Sequence, residues 1–375
     1  NEQALNHETD WVMKRKMELF NKFLEVPMPR ERQEEWRYTY VEKIDMSGIE
    51  RKDFSPSLSS SDKIIFTDMR TAVARHSDIL RKYFLLPQAK EDKISLMQKI
   101  FWTNGIFVYV PKNMDAGLLT TKIFLDRDVM SYTLIILESG GSAEYFEEIT
   151  GNTKLMTDIT EIYLSEGAKL DFYLLQNTGQ DTCIFSNKNA FLGKDASMSW
   201  VNGSFGGKMA RLKTDNCLKG LGSSSNTNSF FIGNGKQHID ITTNAIHLAP
   251  HTTNNIANKG ILKGSASSVY RGMIKIEKEA QKTVSYLSDN TIMLGNAVAN
   301  SIPGLMIDAN DVKASHGSTI GQIDESQIFY LTSRGITKEQ AEKLIIEGFI
   351  DPSIEMIKSE GIKEIYKKAV EAKSA

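Results

Sequence analysis

Two cysteines, Cys183 and Cys217, are the only thiols among 375 residues, and no CxxC joins them. That excludes a disulfide framework, a self-contained zinc site and a four-thiolate iron–sulfur site, so any metal this chain handles is shared with a partner. No stretch approaches the roughly 20 apolar residues of a membrane-spanning helix, and the polar residues 1–10 lack the apolar core of a secretory signal. The expected compartment is cytoplasmic, with no membrane partner. Lys plus Arg number 45 against 47 Asp plus Glu, and a net charge of −2 provides no basic field to gather nucleic acid. Catalytic signatures are missing too: there is no GxxxxGK[ST], no GxGxxG after a strand, no HExxH and no GxSxG. The run Gly233–Asn234–Gly235–Lys236–Gln237 lacks the spacing and hydroxyl of a phosphate loop. The chain is not expected to hydrolyse ATP by itself or to act as an enzyme.

What is present divides into three parts. With 41% hydrophobic residues the chain can bury a sizeable core. Helical patterning occupies 1–104, strand patterning 105–335, and helical patterning returns over 336–375. In the first part Asp10 is expected to cap a helix through Trp11, Met17, Phe20 and Leu24 that stops before Pro27 and Pro29. Helices are also expected over 70–83 and 90–101, separated by the loop Leu86–Pro87–Gln88.

The middle part alternates, with Leu170, Phe172 and Leu174 set against Lys169, Asp171 and Tyr173. Small-residue punctuation recurs at Ser139–Gly140–Gly141–Ser142, Glu166–Gly167–Ala168, Gly193–Lys194–Asp195–Ala196 and Gly220–Leu221–Gly222, a spacing of about 26–27 residues of the kind stacked repeats produce. Periodicity by itself fits a parallel β-solenoid and an antiparallel sandwich equally, because Gly-turn hairpins give the same local pattern.

In the last part Thr337 and Gln340 form a capping box ahead of an apolar stripe of Ala341, Leu344 and Ile345. A second helix is expected to start at Asp351–Pro352, with Ile354, Ile357, Ile365 and Ala369 as its apolar face. Two roles fit this pair: covering the open end of the sheet, or docking a partner.

Few side chains point to chemistry. His247 and His251 lie four apart, but the intervening Pro250 keeps them off a common helical face. Cys183 and Cys217, in apolar surroundings, read as small buried hydrophobes. His316, just before Gly317, reads by itself as a structural histidine in a turn.

The segment 313–335, Lys-Ala-Ser-His-Gly-Ser-Thr-Ile-Gly-Gln-Ile-Asp-Glu-Ser-Gln-Ile-Phe-Tyr-Leu-Thr-Ser-Arg-Gly, resembles the signature of the SufB/SufD family of iron–sulfur cluster assembly proteins. Gln237–His238–Ile239–Asp240, His247–Leu248–Ala249–Pro250–His251–Thr252, Lys259–Gly260–Ile261–Leu262–Lys263–Gly264, Arg271–Gly272 and Ala280–Gln281–Lys282–Thr283 extend the likeness. Asn104–Gly105–Ile106–Phe107–Val108–Tyr109–Val110–Pro111 matches the start of the shared core, and Trp36–Arg37–Tyr38–Thr39 resembles the N-terminal motif of SufD-type chains. The resemblance implies a mainly β fold, a right-handed parallel β-helix with N- and C-terminal α-helical regions. It also implies pairing with a SufB-type subunit through the β-helix, binding of the SufC-type ATPase through the C-terminal helices, and a transient Fe–S cluster at the subunit interface, with none bound by the chain alone.

By the same resemblance His316 corresponds to the family's cluster-linked histidine. Leu331 stands where SufB-type chains carry a cysteine, which favours the SufD type, and Ala314 stands where some SufD chains carry one. Arg334 and Gly335 close the signature and shape the start of the capped helix. With Leu344, Ile345, Phe349, Ile354 and Ile357 they make up the candidate partner-binding set. Two alternatives are a homodimer of this chain acting without a separate SufB-type subunit and a β-helix carbohydrate-active enzyme. The latter needs clustered carboxylates on one face, which the spacing does not provide.

Overall fold

The computed structural model describes residues 9–30, 32–41, 53–59, 64–86 and 91–374. Pro87 and Gln88 of the expected loop, and nearly all of the polar run 1–10, lie outside them. From Asn104 to Gln322 the chain runs through sixteen strands that alternate between two sheets, and each pairs in parallel with the next but one. That is a parallel β-solenoid, and the parallel pairing excludes the antiparallel sandwich. We call the sheet ending in Lys313–Gln322 the front sheet and the one ending in Val298–Ile307 the back sheet.

The repeat is less uniform than the punctuation implies. Ser142 pairs with Lys169, 27 residues on, whereas Thr253 pairs with Val284, 31 residues on. Later coils carry longer corners. The punctuation marks a corner of each coil where one residue takes a left-handed backbone: Gly140, Gly167, Asp195, Gly222, His251 and Lys282 all have positive φ. At this corner Gly140 N–H donates to the Glu166 carbonyl at 2.9 Å, Gly167 to Lys194 at 2.8 Å and Asp195 to Leu221 at 2.9 Å. Glycine suits such a position because it has no Cβ to clash.

The alternation expected at Leu170, Phe172 and Leu174 holds, and all three are buried in the solenoid interior. Stacking places like beside like: the rings of Tyr145, Phe172 and Trp200 follow one another at 4.9 and 4.8 Å, the spacing of neighbouring strands. Tyr173, set on the polar side by alternation, is also buried, because a helical layer covers the outer face there.

Both outer faces are covered. Against the back sheet lie α1 (Asp10–Glu25), α2 (Met69–Arg75), α3 (Ser77–Leu80) and α4 (Lys93–Phe101), packed through Leu19, Phe84, Trp102 and Tyr132. Thr9 rather than Asp10 occupies the N-cap of α1, and the helix expected over 70–83 is broken at His76, which leaves helical geometry. The buried Lys99 ammonium contacts Glu91 at 2.9 Å and Glu161 at 3.1 Å, tying α4 to the sheet.

After the last strand come α5 (Glu325–Thr332), α6 (Lys338–Ile354) and α7 (Glu360–Ser374). The Thr337–Gln340 capping box is present. Pro352 does not start a helix: it lies within α6, and α7 begins at Glu360. The α6–α7 pair packs on the outer face of the front sheet, burying Ile346, Ile350, Ile354, Ile357 and Tyr366 against Tyr173, Val201 and Phe230, so it does not close the solenoid's end. Ala341 belongs to the buried side of α6, but Leu344 faces out at 50% exposure, since an i, i+3, i+4 stripe is set by what it packs on and the sheet lies under Ile346 and Ile350.

Candidate functional site

The two ends of the solenoid differ. At the first, Ser57–Ser59 pairs antiparallel with Asp115–Leu125, and Ile65–Asp68 pairs antiparallel with Asn104–Val110. At the last, Val298–Ile307 and Lys313–Gln322 stand at the edges of their sheets, each paired on one side only among the described residues. Their side chains are correspondingly open, with Val298, Leu305, Met306, Ile307 and Ile320 between 37% and 54% exposed. Such an edge offers free backbone donors and acceptors to another strand.

His316 sits in this last coil. It is in register with Leu287, which pairs with Ile256 and, through Thr227, with Trp200 and Phe172. Those deeper residues all point inward, so His316 occupies an interior position of a strand that has no further coil above it. The imidazole is therefore exposed at the mouth of the solenoid. It is a strand residue, not a turn residue. Ser318, two positions on and on the same face, donates to the Asp289 carboxylate at 3.4 Å. Burial raises the Asp289 carboxyl above its ordinary pKa.

Among the described residues no group of three or more His, Cys, Asp or Glu side chains is arranged to hold a metal. His316 offers one exposed imidazole. His247 is fully buried, with Nδ1 2.8 Å from Thr252 Oγ1 and Nε2 3.2 Å from Ser285 Oγ, and desolvation lowers its pKa to about 4. His251 is a left-handed corner residue, so the two do not form a site. Cys183 is buried beside Trp36 and Phe185, while Cys217 is half-buried and its thiol is pushed up to about 12 by desolvation.

The candidate partner-binding set separates. Leu344 is exposed, Ile345 and Phe349 are half-buried, and Gly335 has φ 86 in the link between α5 and α6. Arg334 lies over the Tyr330 ring at 4.5 Å. Ile354 and Ile357 are each 1% exposed, held against this chain's own sheet, and are corrected from partner contacts to packing residues. Spacing had missed two exposed aromatics on α5, Phe329 and Tyr330, close in sequence to the terminal strand.

A different relation explains the Trp36–Arg37–Tyr38–Thr39 motif. On the outer face of the back sheet the buried Asp240 carboxylate accepts from Arg211, from Arg271 Nη1 at 2.8 Å, and from the Thr39 hydroxyl. Arg271 also donates to the Arg37 carbonyl, and the Arg211 guanidinium stacks over Trp36 at 4.0 Å. The motif is a strap buckled onto the solenoid. Burial alone would raise the Asp240 pKa, but the two guanidinium groups outweigh it and hold the carboxyl below its ordinary value.

The fold is that of a two-sheet parallel β-solenoid, helical on both outer faces and with the strands of its last coil at the sheet edges. The family described as "SUF system FeS cluster assembly, SufBD core domain" matches residues 124–349, and the chain belongs to the SufBD family of iron–sulfur cluster assembly proteins. It is 31% identical over 351 residues to a Bacillus subtilis protein named "Iron-sulfur cluster assembly protein SufD", covering 89% of this chain and 80% of that one. An "Iron-sulfur cluster assembly SufBD family protein" of Staphylococcus epidermidis is 30% identical over 300 residues, covering 77% of this chain and 64% of the relative. Relatives in Staphylococcus aureus align over the same shares. Among the described residues no helix is long and apolar enough to cross a membrane.

Proposed function

We propose that this chain is a scaffold subunit of SUF iron–sulfur cluster assembly, pairing through its last coil with a SufB-type subunit and docking a SufC-type ATPase on its C-terminal helices. The carrying observation is His316 on the inner-face column of a terminal strand paired on one side only. A partner edge added there brings its own side chains over the mouth, and His316 supplies one imidazole ligand to an Fe–S cluster handled as transient cargo. The exposed Leu344 and the half-buried Ile345 and Phe349 on α6 are the side chains offered to the ATPase. A second copy of this chain fits the same edge, which keeps a homodimer as the other reading.

The test is anaerobic co-expression with SufB- and SufC-type partners. Replacing His316 by Ala is expected to leave folding and complex formation near wild type and to lower bound iron and sulfide. Normal iron and sulfide in the variant complex rules out the ligand role. Leu344→Asp probes the ATPase surface better than truncation at Gly335, because removing α6 and α7 bares the front sheet. Unchanged ATPase binding by Leu344→Asp moves docking elsewhere.

A further inference from the structure

We infer that the solenoid interior binds a file of water running from a buried Lys188 cluster to the mouth, and that this file carries protons between them. At the inner end the Lys188 ammonium donates to Glu147 Oε2 at 2.5 Å, to Asp158 Oδ2 at 2.7 Å and to Thr160 Oγ1 at 3.2 Å. All four residues are at most 2% exposed. Two carboxylates face one ammonium, so the cluster carries an excess negative charge unless it holds a proton, and a group this deep gains or loses a proton only along a hydrogen-bonded path.

The path is marked by buried oxygens that have no hydrogen-bond partner. Ser131 Oγ, Asp158 Oδ1 and Ser186 Oγ are three of them, and these residues lie side by side on successive back-sheet strands. Towards the mouth, Lys188 is in register with Thr214, and on the facing front-sheet column come Asn202, Ser229, Asn258, Asp289 and Ser318 in unbroken register. Thr214 Oγ1, Asn202 Oδ1 and Asn258 Oδ1 are also without partners.

Direct bonds span part of the way. Asn202 Nδ2 donates to Ser229 Oγ at 3.4 Å, Asn258 Nδ2 to Asp289 Oδ1 at 2.7 Å, and Ser318 Oγ to Asp289 at 3.4 Å. Native interiors leave few polar atoms unpaired, and a buried polar site with several acceptors holds ordered water. Ser131, Asp158 and Ser186 hydrate the inner end around Lys188, and Thr214, Asn202 and Asn258 carry the seam from there to the open mouth, roughly 20 Å from Asn202 to Ser318 at the ~4.8 Å strand spacing. Along it each water gives one proton to the next acceptor and takes one from the previous donor, so no atom need travel its length. Asp289, the last buried carboxylate before Ser318, is the exchange point with the mouth.

Two measurements on this chain test this. High-resolution diffraction is expected to place ordered waters within hydrogen-bonding distance of Asp158 Oδ1, Thr214 Oγ1, Asn202 Oδ1 and Asn258 Oδ1. A dry interior, with these atoms bonded to backbone carbonyls, overturns the proposal. Solvent exchange of the Lys188 ammonium protons, followed by nitrogen-15 NMR, is expected to slow at least tenfold in Asn258→Leu/Thr214→Val and to stay unchanged in the outward-facing Thr319→Val. Unaltered exchange in the folded double variant overturns the relay. Should the double variant fail to fold, the near-isosteric Thr214→Val, expected to slow exchange severalfold, takes its place with the same reading.

Discussion

The Lys259 ammonium donates to the Phe349 carbonyl oxygen at 2.7 Å, three residues ahead of Pro352, and lies over the Phe349 ring at 5.1 Å. Proline has no N–H to return to the preceding turn, so α6 is weakened where a lysine of the front sheet takes hold of it. Desolvation lowers the Lys259 pKa.

Lys259→Met keeps the aliphatic stem and removes this bond. The expected loss is about 1.5 kcal/mol, the typical worth of a hydrogen bond to a charged group. Hydrogen exchange should accelerate in α6 and α7 and remain unchanged in the solenoid strands, and uniform protection across α6 would contradict the anchor.

Phe172 fills the interior between Tyr145 and Trp200. Phe172→Ala should destabilise the chain by about 3–5 kcal/mol in urea titration. Phe124 is 69% exposed, so Phe124→Ala should change stability by no more than about 0.5 kcal/mol. Equal effects at the two sites would undo the assigned register.

Asp240 joins two arginines to the N-terminal strap. Asp240→Asn leaves both guanidinium groups without their carboxylate and should cost about 3–5 kcal/mol, with residues 32–41 losing protection first. Because the folded carboxyl is held below its ordinary value, its contribution is complete above about pH 3.9 and disappears only as pH falls through the depressed value. Release of the wild-type strap between pH 5 and 7 would contradict this.

His247 is a second point of acid sensitivity, one that begins nearer neutrality. Its folded pKa of about 4 lies below the ordinary value of 6.5, so the unfolded chain binds the proton first and stability falls as pH drops from 6.5 towards 4. This one group should remove about 2 kcal/mol between pH 7 and pH 5. His247→Gln should flatten that part of the urea-midpoint profile, and an unchanged slope would assign the titration to another group.

Alternation made the inward set around Phe172 legible, because side-chain direction in a strand depends only on parity. Helix starts were less so. Thr9, one residue before Asp10, takes the N-cap position without a side-chain capping bond, and Pro352 satisfies the rule for a first helical turn while standing in the last turns of α6. The strap was visible only as a motif, since Asp240 and Thr39 are 201 positions apart and meet through the stacking of coils.

The sequence by itself determined the alternation, the corner punctuation, the Thr337–Gln340 cap, the shortage of thiols and the family likeness, all of which are local or compositional. The parallel stack followed from the family likeness and not from periodicity, which left the sandwich open; tertiary structure alone decided that α6 and α7 cover the front sheet instead of the open end, and that Ile354 and Ile357 face inward. It also decided that His316 ends an interior column at the mouth. The physical reason is that burial and register belong to pairs of surfaces: the Asp324 cap of α5 marks locally where the strand ends, but a strand's inner face becomes solvent-exposed only when no further coil is laid on it, and that is settled by the stack and not by the residues around His316.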